Sequence, residues 1–451
     1  ASLAAGSRLL VQAPTGLGKT AAVLFPALRK ALAEDLRVFH LTPRNSQHGV
    51  AEAFVRRLLE AGHPVRAVTL RAKEKVCPQP VLHCHPDACP RALGHYDRLA
   101  GSAALDQLAA LGCADAETLQ RLADTHQLCP FELALDAARG ADVIIGDYNY
   151  ALAPGVGLAR FFGDEAAQAR NLLCIDEAHN LPERAAAWFS PALDLAELAL
   201  LGRGWKGRRV GLKGRFLRQL DRCIGRVAGC AGEHREVEVD AEAFQEEEQR
   251  LRTLLAQAAA DGQELAPGHP LVQLHRGWTD FCEGLRARTD AHLLTWVPPG
   301  RLQITCVDAS AHLAARFAAA AGAVLFSATL KPFPYQARRC GLEDPRCEEV
   351  GSPFPAANRR LLMVPQISTR YRRREREAPR IAAFLERVLP LRPGNYLVFF
   401  PSFEFLERTR PLLALPGFQV LAQPRRAGAG ELQDLLRRLQ SERGLVVLAV
   451  Q

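Results

Sequence analysis

The stretch "APTGLGKT", residues 13–20, has the residue types and spacing of a phosphate-binding loop. An apolar run precedes it and a helical pattern follows, which is the strand, loop and helix order in which such loops bind phosphate. Lys19 is expected to reach the β- and γ-phosphates of a nucleotide, and the Thr20 hydroxyl is expected to hold Mg²⁺. The predicted nucleotide-binding residues are Ala13, Pro14, Thr15, Gly16, Leu17, Gly18, Lys19 and Thr20, with Ala13 at the first glycine position of the pattern.

A pair of carboxylates follows a second apolar run, "NLLCI", in the stretch "DEAHN". Ligands of open parallel sheets lie at the carboxyl ends of the strands, so this pair should lie near the phosphate loop. Asp176 is expected to hold Mg²⁺, and Glu177 is expected to orient and deprotonate the attacking water. Together the two motifs predict an enzyme that hydrolyses ATP with Mg²⁺.

Between these motifs lies a segment rich in cysteine, which contains Cys77, Cys84, Cys89, Cys113 and Cys129. Four thiolates can hold either Zn²⁺ or a cubane iron-sulfur cluster. The cysteine spacing does not fit the paired C-x₂₋₄-C knuckles of a structural zinc site. A zinc site that includes His83 or His85, and a set of free thiols without metal, remain as alternatives.

Cys113 and Cys129 compete for the fourth position in such a site. Cys129 is followed directly by proline, as Cys77 and Cys89 are, and Cys84 precedes a His-Pro pair. Stiff turns of this kind can aim a side chain, whereas Cys113 lies at a predicted helix start. The predicted cluster ligands are therefore Cys77, Cys84, Cys89 and Cys129.

The remaining sequence indicates the fold class and a polyanionic partner. The chain has 451 residues, of which 48% are hydrophobic and 24% charged, so we expect a globular α/β protein of two or more domains. Short apolar runs at 8–12, 142–150, 323–330, 396–406 and 444–450 predict strands, and their alternation with helical patterns favours parallel sheets. The net charge of +8 favours a polyanion. No apolar run is long enough to cross a membrane, and we expect a cytoplasmic protein.

Six motifs in order carry a resemblance to a family. They are "APTGLGKT" (motif I), "LTPRNSQ" at 41–47 (Ia), "DEAH" at 176–179 (II), "SATL" at 327–330 (III), "GSPFP" at 351–355 and "LVFFPSFEFL" at 397–406 (IV). In these motifs the chain resembles the iron-sulfur DNA helicases of superfamily 2, the XPD/DinG type, and within it the bacterial branch. The family's cluster domain also closes with a "CPFE" like that at 129–132, in agreement with the choice of Cys129.

The resemblance implies two RecA-like P-loop motor domains, the second incomplete, with ATP between them and single-stranded DNA across their top. It also implies an inserted 4Fe-4S domain, an inserted helical arch domain, and a role for His179 in coupling Mg²⁺-ATP chemistry to motif III. The predicted boundaries are 1–70, 133–184 and 301–330 for motor domain 1, 71–132 for the cluster domain, 185–300 for the arch and 331–451 for motor domain 2. The stretch "TWVPPGRLQITCVDAS" at 295–310 is expected to return the chain to motor domain 1 as a turn and a strand.

The sequence is also expected to be a fragment. No adenine-binding segment precedes motif I, and motifs V and VI of the family are missing. Motif VI normally supplies an arginine finger, a group worth roughly 10³ to 10⁵ in rate in comparable enzymes. We therefore expect the 451-residue chain by itself to hydrolyse ATP poorly.

Three further features are candidates for contact with DNA. Residues 203–226 carry nine Lys or Arg and one Asp, whereas 233–248 carry eight Asp or Glu and one Arg. The basic stretch could track phosphates, or the two stretches could pair with each other. Arg370 and Arg372 could contact DNA or another domain, or lie on a solvated face, and Tyr148 and Tyr150 could stack on bases or be buried.

These observations predict an ATP-dependent DNA helicase or translocase of 5′ to 3′ polarity that acts in DNA repair. Its partners would be single-stranded DNA and forked or tailed duplexes, with repair proteins or single-strand-binding proteins as further candidates. We expect a monomer with no membrane association. The alternatives are a DEAH-type RNA helicase and an ATP-gated DNA clamp or sensor that does not unwind.

Overall fold

The computed structural model describes residues 7–79, 82, 84, 86, 89–154, 158–203, 210–232, 236–263, 265–266, 268–425 and 429–450. The chain forms two compact units, Ala1–Pro353 and Phe354–Gln451. No helix in the described part of the chain is long and apolar enough to span a bilayer.

The strands of the first unit are short, and most are parallel and buried. They are β1 Arg8–Gln12, β2 Arg37–Thr42, β3 Ala67–Thr69, β4 Cys113–Ala114, β5 Val143–Asp147, β6 Asn171–Asp176, β7 Ala192–Asp194, β8 His292–Val297, β9 Arg301–Cys306, β10 Gly322–Ser327 and β11 Arg346–Glu349.

Helices connect these strands. They are α1 Lys19–Glu34, α2 His48–Glu60, α3 Lys73–Val76, α4 His95–Ala100, α5 Ala104–Leu111, α6 Ala116–Thr125, α7 Pro130–Ala137, α8 Asn149–Leu152, α9 Ala159–Phe162, α10 Glu165–Gln168, α11 Leu181–Trp188, α12 Leu195–Arg203, α13 Gly211–Ala228, α14 Ala241–Ala260, α15 Pro270–Arg286, α16 Ser310–Ala319 and α17 Phe333–Arg339.

The main sheet of the described residues has the order β11-β1-β10-β6-β2-β5-β3-β4, and all of its pairs are parallel. Neighbouring residues of each central strand enter different core clusters: Leu9 belongs to one and Leu10 to the other, as do Leu172 and Leu173. Successive side chains of a strand point to opposite faces, so both faces of this sheet are covered. The predicted α/β architecture with a parallel sheet is confirmed.

The first unit extends further along the chain than the sequence predicted. Residues 331–353 were assigned to motor domain 2, but β11 lies among them and pairs in parallel with β1. Hydrogen bonds to β1 place this segment at the edge of the main sheet. The boundary between the units therefore follows Pro353 instead of residue 330.

A helical insertion spans residues 192–306, where α12 to α15 pack on a small antiparallel sheet of order β7-β9-β8. The stretch "TWVPPGRLQITCVDAS" was expected to return to motor domain 1 as a turn and a strand. It instead forms a hairpin in which β8 and β9 pair with each other, and β9 also pairs with β7. The insertion therefore continues to Cys306.

The second unit contains β12 Tyr396–Phe400, β13 Gln419–Ala422 and β14 Leu445–Val450, with α18 Arg374–Val388, α19 Phe403–Thr409 and α20 Ala429–Ser441. Its described strands form a parallel sheet of order β12-β14-β13. Phe400, Phe405 and Leu448 are among the buried residues of its core.

Candidate nucleotide site and cysteine cavity

The phosphate loop joins β1 to the start of α1. Gly16 has φ 85° and Gly18 has φ 68°, a conformation that glycine adopts without strain. A Cβ on Gly18 would meet no atom within 4 Å, so the backbone conformation, and not space, requires glycine there. Since α1 begins at Lys19, the free N–H groups of its first turn lie beside Thr20 and can bind an anion.

Ala13, which replaces the first glycine of the pattern, is buried at the start of this loop. Its N–H donates to the carbonyl of Ser327 at 2.9 Å, and the residue is 5% exposed. Its φ is not positive, so alanine fits without strain. The departure from the pattern therefore leaves the loop intact.

The sheet order brings motifs I, II and III together. β10 lies between β1 and β6, with Ser327 opposite Gln12 and Phe326 opposite Asp176. The three parallel strands thus end side by side. Their carboxyl ends carry the phosphate loop, the acidic pair and "SATL".

Glu177 lies just past β6 with φ 48° and ψ 43°, a left-handed conformation that costs a non-glycine residue about 1–2 kcal/mol. The Tyr148 hydroxyl donates to the carbonyls of Asp176 and Glu177, the latter at 3.0 Å. The Asn180 amide also donates to the Glu177 carbonyl, at 3.1 Å. These hydrogen bonds hold the strained turn in place.

Ser327 connects motif II with motif III. Its hydroxyl donates to Oε2 of Glu177 at 3.1 Å and lies 2.7 Å from Nδ1 of His179. Because the hydroxyl proton points to Glu177, His179 must carry its proton on Nδ1 to complete both hydrogen bonds. The predicted residues Glu177 and His179 therefore meet at one serine that the sequence analysis did not single out.

Asp176 is largely withdrawn from solvent. Burial, with the neighbouring Glu177 carboxylate, raises its pKa to about 6, although a hydrogen bond from the Glu177 N–H and the Lys19 charge act in the opposite direction. A carboxyl group withdrawn from solvent beside a second carboxylate is a site that can bind a further cation. Oxygen donors of this kind, with the Thr20 hydroxyl, fit Mg²⁺.

The four predicted cluster ligands line a single cavity of about 220 Å³, together with Lys73, His95 and Glu132. Cys129 precedes Pro130 at the start of α7, and its N–H donates to Nδ1 of His95 at 3.2 Å. Soft thiol donors around one space fit an iron-sulfur cluster in chemistry. Among the described residues, however, no three or more His, Cys, Asp or Glu side chains converge as metal ligands do.

The competing cysteine lies elsewhere. Cys113 is in β4, is 8% exposed and packs in the core with Val65 and Ala67. Burial raises its pKa to about 11, so its thiol stays protonated. His83 and His85, which the zinc alternative requires, lie outside the described residues.

Two arginines join the polypeptide segments that carry Cys89 and Cys129. Arg98 donates to the carbonyls of Leu93 at 2.5 Å, Pro90 at 3.1 Å, Arg91 at 3.2 Å and Gln127 at 3.0 Å. Arg91 donates to the carbonyl of Leu128 at 3.0 Å. We call this set of contacts the arginine clasp, and it holds the two thiols near each other without metal.

Arg98→Ala is expected to loosen residues 89–94 in the iron-free protein. Hydrogen bonds to a charged group contribute about 1.5–3 kcal/mol each, so the loss of one alone predicts roughly tenfold faster amide exchange there. Hydrogen exchange by mass spectrometry measures this, and iron retention against a chelator should fall in parallel. The control is Arg121→Ala, which changes an exposed residue of α6. Equal exchange of residues 89–94 in both variants would contradict a stabilising role of the arginine clasp.

Of the other candidate DNA contacts, the two tyrosines are buried and the two arginines are exposed. Tyr148 and Tyr150 are buried, at 1% and 8% exposure, so they are core residues and not stacking platforms. Arg370 and Arg372 are exposed in the second unit. Their predicted contact with DNA stays a prediction.

Two protein-family models match the chain: DEAD/DEAH box helicase over residues 1–74 and DEAD_2 over residues 55–198. A curated relative, the regulator of telomere elongation helicase 1 homolog of Culex quinquefasciatus, is 24% identical over 147 residues. That match covers 30% of this chain and only 15% of the relative.

Solved structures match over almost the whole chain. A structure entitled XPD helicase covers 99% of this chain and 77% of its own, with a TM-score of 0.61 and 16% identity. This chain has the fold of the XPD-type helicases. Xpd4 of S. tokodaii agrees, with a TM-score of 0.56, 18% identity and coverage of 98% and 77%. The resemblance to the XPD/DinG type that the motifs predicted is confirmed.

Proposed function

We propose that the chain is the motor part of an ATP-dependent DNA helicase or translocase. The observation that carries this proposal is the meeting of three motifs at adjacent strand ends, where Ser327 contacts both Glu177 and His179. Phosphoryl transfer needs positioning and charge neutralisation above all, and this arrangement offers both.

The residues take separate roles in hydrolysis. Mg²⁺, when bound by Thr20 and Asp176, supplies charge neutralisation at the phosphates. Lys19 and the N–H groups at the start of α1 bind the phosphates. Glu177 orients the attacking water and accepts its proton. Because the Ser327 hydroxyl contacts both Glu177 and His179, a movement of Glu177 on hydrolysis would also move Ser327 and His179. This contact couples the nucleotide site to motif III.

We further propose a [4Fe-4S] cluster on Cys77, Cys84, Cys89 and Cys129, supported by their shared cavity. The resemblance suggests 5′ to 3′ movement on single-stranded DNA, forked or tailed duplex substrates, and a cytoplasmic role in DNA repair as a monomer. Repair proteins and single-strand-binding proteins are candidate partners on the same ground. The net charge of +8 agrees with a nucleic-acid partner.

A comparison of cofactor nucleic acids tests this function. Single-turnover ATP hydrolysis, with protein in excess, should rise with single-stranded DNA and rise less with RNA of the same sequence. Displacement from a 5′-tailed duplex should exceed that from a 3′-tailed one. Preferential stimulation by RNA would favour an RNA helicase, and ATP-dependent binding without displacement would favour a clamp.

A further inference from the structure

A groove of about 290 Å³ lies between α13 and α14 of the helical insertion. Its charged lining residues are Arg215, Arg218, Arg222 and Arg250. Glutamine and threonine side chains lie between them, and none of the lining residues that the structure describes is acidic. The groove is therefore polar and strongly basic.

The arginines of α13 share one face of that helix. Residues 215, 218 and 222 are three and four positions apart, so they lie above one another, while Phe216, Leu220 and Cys223 face the core of the insertion. Like charges at this spacing destabilise a helix by about 0.2–0.5 kcal/mol per pair. Their alignment does not serve the stability of α13.

The acidic stretch that follows in sequence does not neutralise this face. Glu248 pairs with Arg286 at 2.9 Å and with Arg252 at 3.4 Å, both outside the groove. Arg250, on the α14 side of the groove, pairs with Glu247 at 2.5 Å and with Glu246 at 3.2 Å, so the acidic stretch neutralises this arginine alone among the four. The described ion pairs of residues 246–248 are therefore formed with Arg250, Arg252 and Arg286, and not with Arg215, Arg218 or Arg222.

The positive charge of the α13 arginines is thus mostly not neutralised by described carboxylates. Arg218 and Arg222 are exposed, and neither forms an ion pair with another described residue. Arg215 pairs with Asp261 at 3.0 Å, but its Nε is buried and lacks a hydrogen-bond partner among the described residues. Unused donors and uncompensated charge together indicate an anionic ligand.

We propose that this groove binds the phosphodiester backbone of single-stranded DNA, an inference whose choice of ligand rests on the proposed function. The planar guanidinium matches phosphate oxygens in pairs, and Arg218 and Arg222 lie about one helical turn apart along α13. None of the described lining residues is an aromatic side chain on which a base could stack. Binding in the groove is therefore electrostatic and independent of base sequence.

The salt dependence of DNA binding tests the groove. In the full chain carrying R218A and R222A, the affinity for labelled oligo(dT) should fall less steeply with salt. The slope of log K against log salt should be smaller by about 1.4, since each single-strand phosphate contact contributes about 0.7. Fluorescence anisotropy between about 50 and 200 mM salt measures it.

The control carries R276A and R288A, which remove the same charge from exposed positions of the insertion outside the groove lining. It should keep the wild-type slope. Equal slopes in both double variants would overturn the groove as the binding site and leave the proposed function standing. Folding of both is checked by circular dichroism and thermal unfolding.

Arginine modification of the wild-type chain supplies a second readout. Oligo(dT) should protect Arg218 and Arg222 from phenylglyoxal, and should not protect Arg276 or Arg288. Protection by polyglutamate but not by oligo(dT) would overturn the proposal in favour of an acidic protein partner. Protection by oligo(dT) in a chain whose ATP hydrolysis ignores nucleic acid would support the groove and contradict the proposed function.

Discussion

Glu177→Gln is expected to abolish ATP hydrolysis while ATP binding is retained. The amide has the shape of the carboxylate and still accepts the hydrogen bond from Ser327, so the site keeps its geometry. It cannot accept the proton of the attacking water, and loss of a general base costs about 10²- to 10⁴-fold in rate. Single-turnover hydrolysis and retention of labelled ATP on the protein measure the two effects separately.

Two other variants make this result specific. Glu183→Gln applies the same chemical change to an exposed residue of α11 and should leave the rate unchanged. Lys19→Ala should lose ATP binding as well as hydrolysis, because the Lys19 amino group is the charge expected to reach the β- and γ-phosphates. If Glu177→Gln hydrolysed ATP within tenfold of the wild-type rate, the assignment of Glu177 as the general base would be wrong.

The sequence predicted the parts of the site that depend on local patterns. The phosphate loop needs glycines at fixed positions followed by a helix, and both are visible in eight residues. The strands at 8–12 and 444–450 were predicted to within a residue, because buried parallel strands are continuous apolar runs.

Errors arose where an apolar run passed from a strand into a helix. The stretch 396–406 was predicted as one strand, but β12 ends at Phe400 and α19 begins at Phe403. The Ser402 hydroxyl accepts from the N–H of Phe405 and caps the helix. Similarly, β5 ends at Asp147, before the two tyrosines that the prediction had placed in the strand.

Contacts between distant residues could not be read from the sequence. Ser327 and Glu177 are 150 positions apart, and only the insertion of β10 between β1 and β6 makes them neighbours. The arginine clasp is likewise set by the fold, because an arginine that donates to several backbone carbonyls leaves no pattern of its own.

Cys129→Ser is expected to remove most of the iron and sulfide from anaerobically purified protein, whereas Cys113→Ala should leave both in place. Iron-sulfur clusters require thiolate ligands, and the hydroxyl of serine is a poor replacement. Cys129 lines the cavity with Cys77, Cys84 and Cys89, whereas Cys113 packs in the core beside β3. Iron and sulfide analysis with visible absorbance measures the outcome.

Cys347→Ser is the control for the loss of a thiol that is not a ligand, because Cys347 is an exposed cysteine of β11. The Cys347→Ser protein should contain as much iron as the wild type. Loss of iron from Cys113→Ala in a folded protein would contradict the choice of ligands. Zinc without sulfide in the wild-type protein would replace the cluster by a zinc site. Because the arginine clasp holds Cys129 through backbone carbonyls, Cys129→Ser should stay folded around the empty cavity, so iron loss there would report ligation and not unfolding.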